Sequence, residues 1–238
     1  MAAVKPYSAD GSKREQVERM FDAISPRYDL LNRLFSFGTD QGWRRKVVRL
    51  VAQEKVERLL DVATGTADLA IMAAGRVPRV TGADISEGML AHGREKVAKA
   101  GLADRVELVR GDAAALPFPD ASFDAVTVAF GVRNFEDLPR GVGGMLRVLK
   151  PGGRLFVLEF SRPHGLLAPF FRFYFHSVMP FIGRLISKDR AAYAYLPASV
   201  DAFPEGAAFE AILKNQGARE VRSERLTGGI ATLYIARK

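Results

Sequence analysis

Hydrophobic and polar positions alternate on two different scales along this chain. From Arg58 onward, short apolar runs recur at Arg58–Ala63, Arg79–Ile85, Arg105–Arg110, Asp124–Phe130 and Arg154–Phe160. They have strand length, β-branched and aromatic content, and turn residues at their ends. Between them the apolar spacing becomes helical, near Asp68–Arg76, Glu87–Ala100 and Leu138–Leu149. Short apolar strands separated by helices predict a parallel sheet covered on both faces. Beyond Pro204, Phe209–Gln216 predicts a helix ending at Gly217, and two more strands follow near Val221–Leu226 and Ile230–Ala236. A join as short as Gly228-Gly229 requires those strands to run antiparallel.

Before Arg58 the pattern is helical only. Ser12 followed by Glu15 has the form of a capping box, and Met20, Phe21 and Ile24 give the next helix an apolar stripe. Pro26 breaks it. A second helix is expected to carry Leu30, Leu31, Leu34 and Phe35, and a third to run from Trp43 to Ala52. The expected organisation is a single domain over 1–238. It divides into a helical cap (1–57), an α/β core (58–162), and substrate-side helices with the last strands (163–238). A mostly parallel seven-stranded sheet closed by a C-terminal antiparallel hairpin is the layout of a Rossmann-like, class I methyltransferase.

Composition narrows the chemistry. Hydrophobic residues make up 48% and charged residues 26%, which suits a soluble protein with a real core. The net charge of +8 is spread along the chain; it favours an anionic partner without specifying one. The chain has no cysteine, which excludes disulfides, thiolate nucleophiles and Cys-based metal sites, and fits a reducing cytoplasm. The start, MAAVKPYSADGSKREQ, has no apolar core and does not read as a signal peptide. Gly165–Ile186 is aromatic, but Arg172, His176, Arg184 and two prolines interrupt it, so a membrane-spanning helix is rejected. A substrate-facing or membrane-touching surface there is kept. His92, His164 and His176 lack ligand spacing, so no metal is expected.

Three strand ends carry the cofactor signal. The first opens DVATGTAD (Asp61–Asp68), where Gly65 lets the backbone bend and approach a ligand; Asp61 and Gly65 are its candidates. The loop lacks the three spaced glycines of a dinucleotide fingerprint, which counts against NAD. The second places Asp84 some twenty residues beyond the loop, where an acid can accept both ribose hydroxyls of an adenosine, and Ser86 caps the next helix. The third offers Asp112 beside the small Ala113, suited to an adenine amino group and its ring. Acids in place of phosphate-binding glycines suit a cationic nucleoside such as S-adenosylmethionine (SAM). The plainer alternative at the first loop is a bare strand-to-helix turn.

Two stretches, YDLLNRLFSFGTDQGW (Tyr28–Trp43) and RVLKPGGRLFVLEFS (Arg147–Ser161), resemble signatures of the ubiquinone/menaquinone biosynthesis C-methyltransferases, the demethylmenaquinone methyltransferase family. ALPFPDASFD (Ala115–Asp124), FGVRNF (Phe130–Phe135), FHSVMP (Phe175–Pro180), YAYL (Tyr193–Leu196) and LTGGIA (Leu226–Ala231) extend the resemblance over nearly the whole chain. The family pattern has a histidine three residues before the tryptophan; here Asp40 stands there, and no role for that histidine carries over. Leu31 and Phe35 also depart from the pattern. The resemblance implies cofactor contacts at Thr66, Asp84, Asp112 and Ala113. It also implies methyl transfer from SAM to a ring carbon of a prenylated quinol, with demethylmenaquinol first and the benzoquinol precursor of ubiquinone as the alternative.

For that chemistry the catalytic candidates are Arg133, Asn134, Tyr28 and Asp68. Arg133 ends the fourth strand, where it can orient or polarise a quinol oxygen; the plain alternative is a loop ion pair with Glu136 or Asp137. Asn134 can bond the second ring oxygen. Tyr28, with Asn32, reaches from the cap or simply packs. Asp68 is a candidate acid–base group or only a helix N-terminal acid. The cluster from Phe170 to Phe175 reads as packing, or as a channel for an isoprenoid tail. Peripheral contact at the inner face of a membrane and association with itself or with pathway enzymes are left open. Nucleic acid is not expected, because aromatic-basic stripes are not evident. The rivals are a SAM enzyme for RNA or another small molecule, and a non-catalytic SAM-binding assembly protein.

Overall fold

The computed structural model describes residues 4–36, 38–163, 168–174, 177 and 190–238. Helices α1 (Lys13–Ile24), α2 (Tyr28–Ser36) and α3 (Thr39–Val51) come first. Then β1 (Arg58–Val62), α4 (Asp68–Ala74), β2 (Arg79–Asp84), α5 (Glu87–Lys99), β3 (Val106–Arg110), β4 (Phe123–Ala129), α6 (Leu138–Val148) and β5 (Leu149–Phe160) follow. Helices Ala168–Phe173, Arg190–Ala202 and Ala207–Asn215 precede β6 (Arg219–Leu226) and β7 (Ala231–Arg237).

The seven strands form one sheet in the order β3-β2-β1-β4-β5-β7-β6. The first five strands run parallel, and β7 lies antiparallel to both β5 and β6, as the short join requires. Strand alternation separates two cores. Leu59, Phe156 and Leu158 meet α3, α4 and α5 on one face. Leu60, Val62, Leu155 and Val157 meet α6 and the helix Ala207–Asn215 on the other. With both faces buried, the strands read as nearly continuous apolar runs.

Local signals account for several ends. The Ser12 hydroxyl accepts the Glu15 amide and the Ser86 hydroxyl accepts that of Met89, so each satisfies an orphan donor of its helix. Pro26 ends α1 in a short 3-10 turn, Ser25–Arg27. Two expectations need correction, and one helix was not among them. Helix α3 begins at Thr39 instead of Trp43, and β5 begins at Leu149, its Pro-Gly-Gly segment joining the strand where the β4 register shifts. The helix Arg190–Ala202 was not foreseen, because Pro197 lies inside it.

Candidate active site

The strand order reverses between β1 and β4, and parallel sheets bind ligands at such a switch point. A cavity of about 310 Å³ opens there, at the carboxyl ends of β1 to β4, with Arg14, Val17 and Phe21 of α1 over it. Strained backbone gathers at the same ends. Ala63, Ala67 and Phe130 hold left-handed φ of 52°, 66° and 62°, a conformation that costs a bulky side chain most. Phe130 is held by its ring, stacked 4.4 Å from Phe160 and tilted against Trp43. Gly131 lets this turn close on β1: a Cβ there would stand 2.5 Å from that of Ala63.

Around the cavity the structure brings together Gly65, Asp84, Asp112, Ala113, Tyr28 and Asn134. Asp84 is buried at the tip of β2, where one oxygen accepts Gly65 N at 2.8 Å and the other Ser86 N at 2.9 Å. Burial pushes its carboxyl up to about 6, against the pull of those amides. A carboxylate oxygen has room for a second donor, so Asp84 keeps acceptor capacity toward the cavity. Gly65 reaches its place with φ 57°. Asp112 accepts the Ala114 amide at 2.9 Å and pairs with Arg14 Nε at 2.9 Å, so α1 is tied to the third strand end. Tyr28 is partly buried against Phe21 and bonds with Asn32; burial raises its hydroxyl pKa, and Arg44 and Arg133 oppose the shift.

The other candidates stand behind the cavity wall. Asp61 is buried and accepts the hydroxyls of Thr64 at 2.7 Å and Thr127 at 2.8 Å, with burial raising its carboxyl to about 6. It props the loop from beneath. Thr66 donates to Asp29 at 2.6 Å. Lys96 of α5 bonds Asp29, Thr66 and Asp68 together, so Asp68 is an ion-paired helix N-terminal acid.

Arg133 is neither a solvated charge nor the partner of Glu136 or Asp137. Its Nη1 pairs at 2.8 Å with Glu159, whose side chain is fully buried, and also donates to the Phe130 carbonyl. Glu136 instead accepts Ser12 Oγ and Lys13 N, while Asp137 caps α6 through Arg140 N. Lys13 Nζ donates to the carbonyls of Arg133 and Phe135, both at 2.9 Å. Burial and Arg133 lower its pKa to about 8, against the pull of Glu136. Thus α1 is fastened to the loop after β4.

Sequence reading missed Glu159, Lys96, Asp29 and Arg14. Only Glu159 carried a signal, as an acid inside an apolar strand, where an unpaired charge is expensive to bury. Phe173 is exposed, contrary to packing, while Tyr174 is partly buried. His164, Phe175 and His176 lie outside the described residues.

A family profile described as ubiE/COQ5 methyltransferase matches residues 9–238. The chain belongs to this family. A Bacteroides fragilis protein named demethylmenaquinone methyltransferase is 48% identical over 238 residues, covering 99% of this chain and 97% of its own. A Thermus thermophilus protein of the same name is 51% identical over 219 residues, covering 91% and 98%. A Geobacter sulfurreducens relative, 47% identical over 95% of this chain and 90% of its own, is named ubiquinone/menaquinone biosynthesis C-methyltransferase. Among solved structures, a SAM-dependent methyltransferase from Thermotoga maritima superposes with a TM-score of 0.67 at 18% identity, over 92% of this chain and 99% of its own. That likeness shows the shared fold.

SAM is the methyl donor of this family and fold, and the residues present fit it. A buried carboxylate with spare acceptor capacity, a glycine at positive φ and a small residue at the third strand end share one cavity. At Asp40, where the resemblance expected histidine, the side chain is buried, accepts Ser36 Oγ at 2.6 Å and pairs with Arg44. The Arg44 guanidinium in turn lies 5.3 Å over the Phe130 ring.

Proposed function

We propose that this methyltransferase converts demethylmenaquinol to menaquinol. The observation that carries the reading is 48% identity, over nearly the full length of both chains, to a protein named for that substrate.

Bound in the cavity, SAM supplies an electrophilic sulfonium methyl. Asp84 accepts the ribose hydroxyls, Asp112 takes the adenine amino group once Arg14 yields, and Ala113 leaves room for the ring. Gly65 brings the loop backbone close, while Asp61 and Thr66 brace it from behind. On the acceptor, the hydroxyl beside the reacting carbon loses its proton to solvent. The ring carbon would then bond to the methyl carbon as the carbon–sulfur bond breaks, releasing the cofactor as its neutral thioether, and the ring proton would pass to water to restore aromaticity. The Arg133 guanidinium favours the anionic oxygen and orients it. Asn134 and Tyr28 set the ring against the cofactor, since alignment is worth several kcal/mol of barrier. Asp68 is assigned to loop support, because Lys96 holds it.

A prenylated acceptor resides in a membrane, and the reading places the reaction at its surface, on the cytoplasmic side. Leu30 and Phe173, exposed to 63% and 64%, support peripheral contact there. No helix among the described residues is long and apolar enough to cross a membrane. The relative named for both quinones favours the benzoquinol precursor as the second substrate. The test is transfer of labelled methyl from SAM to demethylmenaquinol, with the benzoquinol precursor and RNA as competitors. Label is expected in the naphthoquinol; label in no quinol overturns the reading.

A further inference from the structure

Buried polar atoms in folded proteins are almost always paired, so each exception asks for a cause. Four side-chain atoms among the described residues are buried without a partner: Arg133 Nε, Asn134 Oδ1, Tyr195 Oη and Arg154 Nε. Arg154 stands toward the opposite end of β5. The other three lie on the turn after β4, which Arg133 and Asn134 share, and on the helix packed against it, which bears Tyr195. Tyr195 is 4% exposed and packs with Val17 and Met20 of α1, beside the α1 residues that cover the cavity. Asn134, 8% exposed, forms part of the cavity wall.

We infer that Tyr195 is an acceptor-binding residue. Its hydroxyl and Arg133 Nε donate to the ring oxygen that becomes anionic, while Asn134 Oδ1 accepts the hydroxyl that remains. The inference rests on the quinol reading above, and it adds a residue which that reading does not contain. The inventory of orphans has the right chemistry: two donors for an oxygen that gains charge and one acceptor for an oxygen that keeps its hydrogen. Donors fixed in advance at a developing anion need no reorganisation during reaction. The charged groups facing the Tyr195 hydroxyl are Arg133 from the turn and Glu159 from β5, whereas α1 presents Val17 and Met20. Burial holds its pKa at about 12, so it remains a neutral donor near pH 7 and does not take up the acceptor's proton. A donor that favours the anion lowers the pH at which the bound quinol ionises.

Tyr195→Phe in the full chain removes only that hydroxyl. Because the lost group is unpaired in the free protein, the unliganded thermal midpoint should equal or exceed that of the wild type. SAM affinity should stay within about twofold, since Tyr195 is outside the cofactor half. For demethylmenaquinol, kcat/KM should fall at least about tenfold, and the rising limb of kcat against pH should move up by at least about half a unit. A smaller loss, a loss without that displacement, or a loss with a lower unliganded midpoint assigns Tyr195 to packing and overturns the inference. Wild-type protein that methylates no quinol removes the functional reading itself. Normal wild-type transfer beside an unaltered Tyr195→Phe removes only this residue's role.

Discussion

The two halves of the cavity follow opposite rules. On the β1–β3 side the buried polar groups are satisfied: Asp61 holds two threonine hydroxyls, Asp84 two backbone amides, and Thr66 is bonded to Asp29 and Lys96. On the β4–β5 side one tight ion pair, Arg133–Glu159, stands beside three orphaned atoms. A saturated network is rigid before its ligand arrives. Orphans carry a desolvation cost that a ligand's own polar atoms can relieve. On the proposed reading the cofactor half is preformed except at Asp112, which Arg14 must release, and the acceptor half is completed by the molecule it binds.

If the halves are separable, damage to the acceptor half should leave SAM binding intact. Glu159→Gln is the severest test. It leaves the Arg133 guanidinium, 8% exposed, without its counter-charge, and breaking such a buried pair costs about 3 kcal/mol or more. Denaturant unfolding should record that loss, and kcat should fall with it while the SAM Kd stays within about threefold. A Kd that worsens in step with kcat would merge the two halves into one unit.

The reverse damage is Asp84→Asn. Losing hydrogen bonds to a charged acceptor should weaken SAM about a hundredfold, or ~2.7 kcal/mol. Saturating cofactor should restore most of kcat, and failure to do so would mean Asp84 also governs the acceptor. pH adds a sign that can be checked. The carboxyl titrates near 6 in the free folded chain, above the ordinary 3.8. The folded state therefore takes its proton first, so this group's stability contribution is full below 3.8 and is lost as pH rises through about 6. Ribose binding by Asp84, as proposed, needs the anion and runs the other way. SAM affinity should fall as pH drops below about 6 with a limiting slope of about tenfold per unit, while Asp84→Asn stays flat. Calorimetric titration across pH, wild type against variant, reads both.

Legibility from sequence follows the same division. The cofactor half is local: a glycine turn, an acid about twenty residues on, and a serine cap each lie at the end of a strand that its own residues announce. The acceptor half is assembled from distant segments. For Arg133 the plain alternative was an ion pair within four residues, yet the carboxylate it pairs with is Glu159. Parallel pairing of β4 with β5 sets Ala129 beside Leu158 and so carries residue 159 to the foot of the turn. No local pattern contains that register. Tyr195 stood in the sequence only within the YAYL resemblance, with no helix or role attached; Pro197 argues against a helix interior there until packing on the β4 turn overrides it. Lys96 lies on α5 among other charges, and nothing in its spacing distinguished it from a solvated face.

The smallest effect decides the oldest ambiguity. Asp68 is either an acid–base group or a helix-end acid, and the two differ in size. A general acid or base contributes about 10²–10⁴-fold to rate. A partly exposed ion pair contributes about 1 kcal/mol or less, and the Lys96 and Asp68 side chains are 25% and 20% exposed. Asp68→Asn should therefore change kcat less than about threefold. Lys96→Met should do more than Asp68→Asn, because it leaves Asp29 and Asp68 as unrelieved like charges beside Thr66. A severalfold weaker SAM Kd is expected, and adding Asp68→Asn to Lys96→Met should recover part of it. That recovery is what a support requires; a hundredfold loss of kcat in Asp68→Asn alone would return Asp68 to the chemistry and make the cofactor half itself reactive.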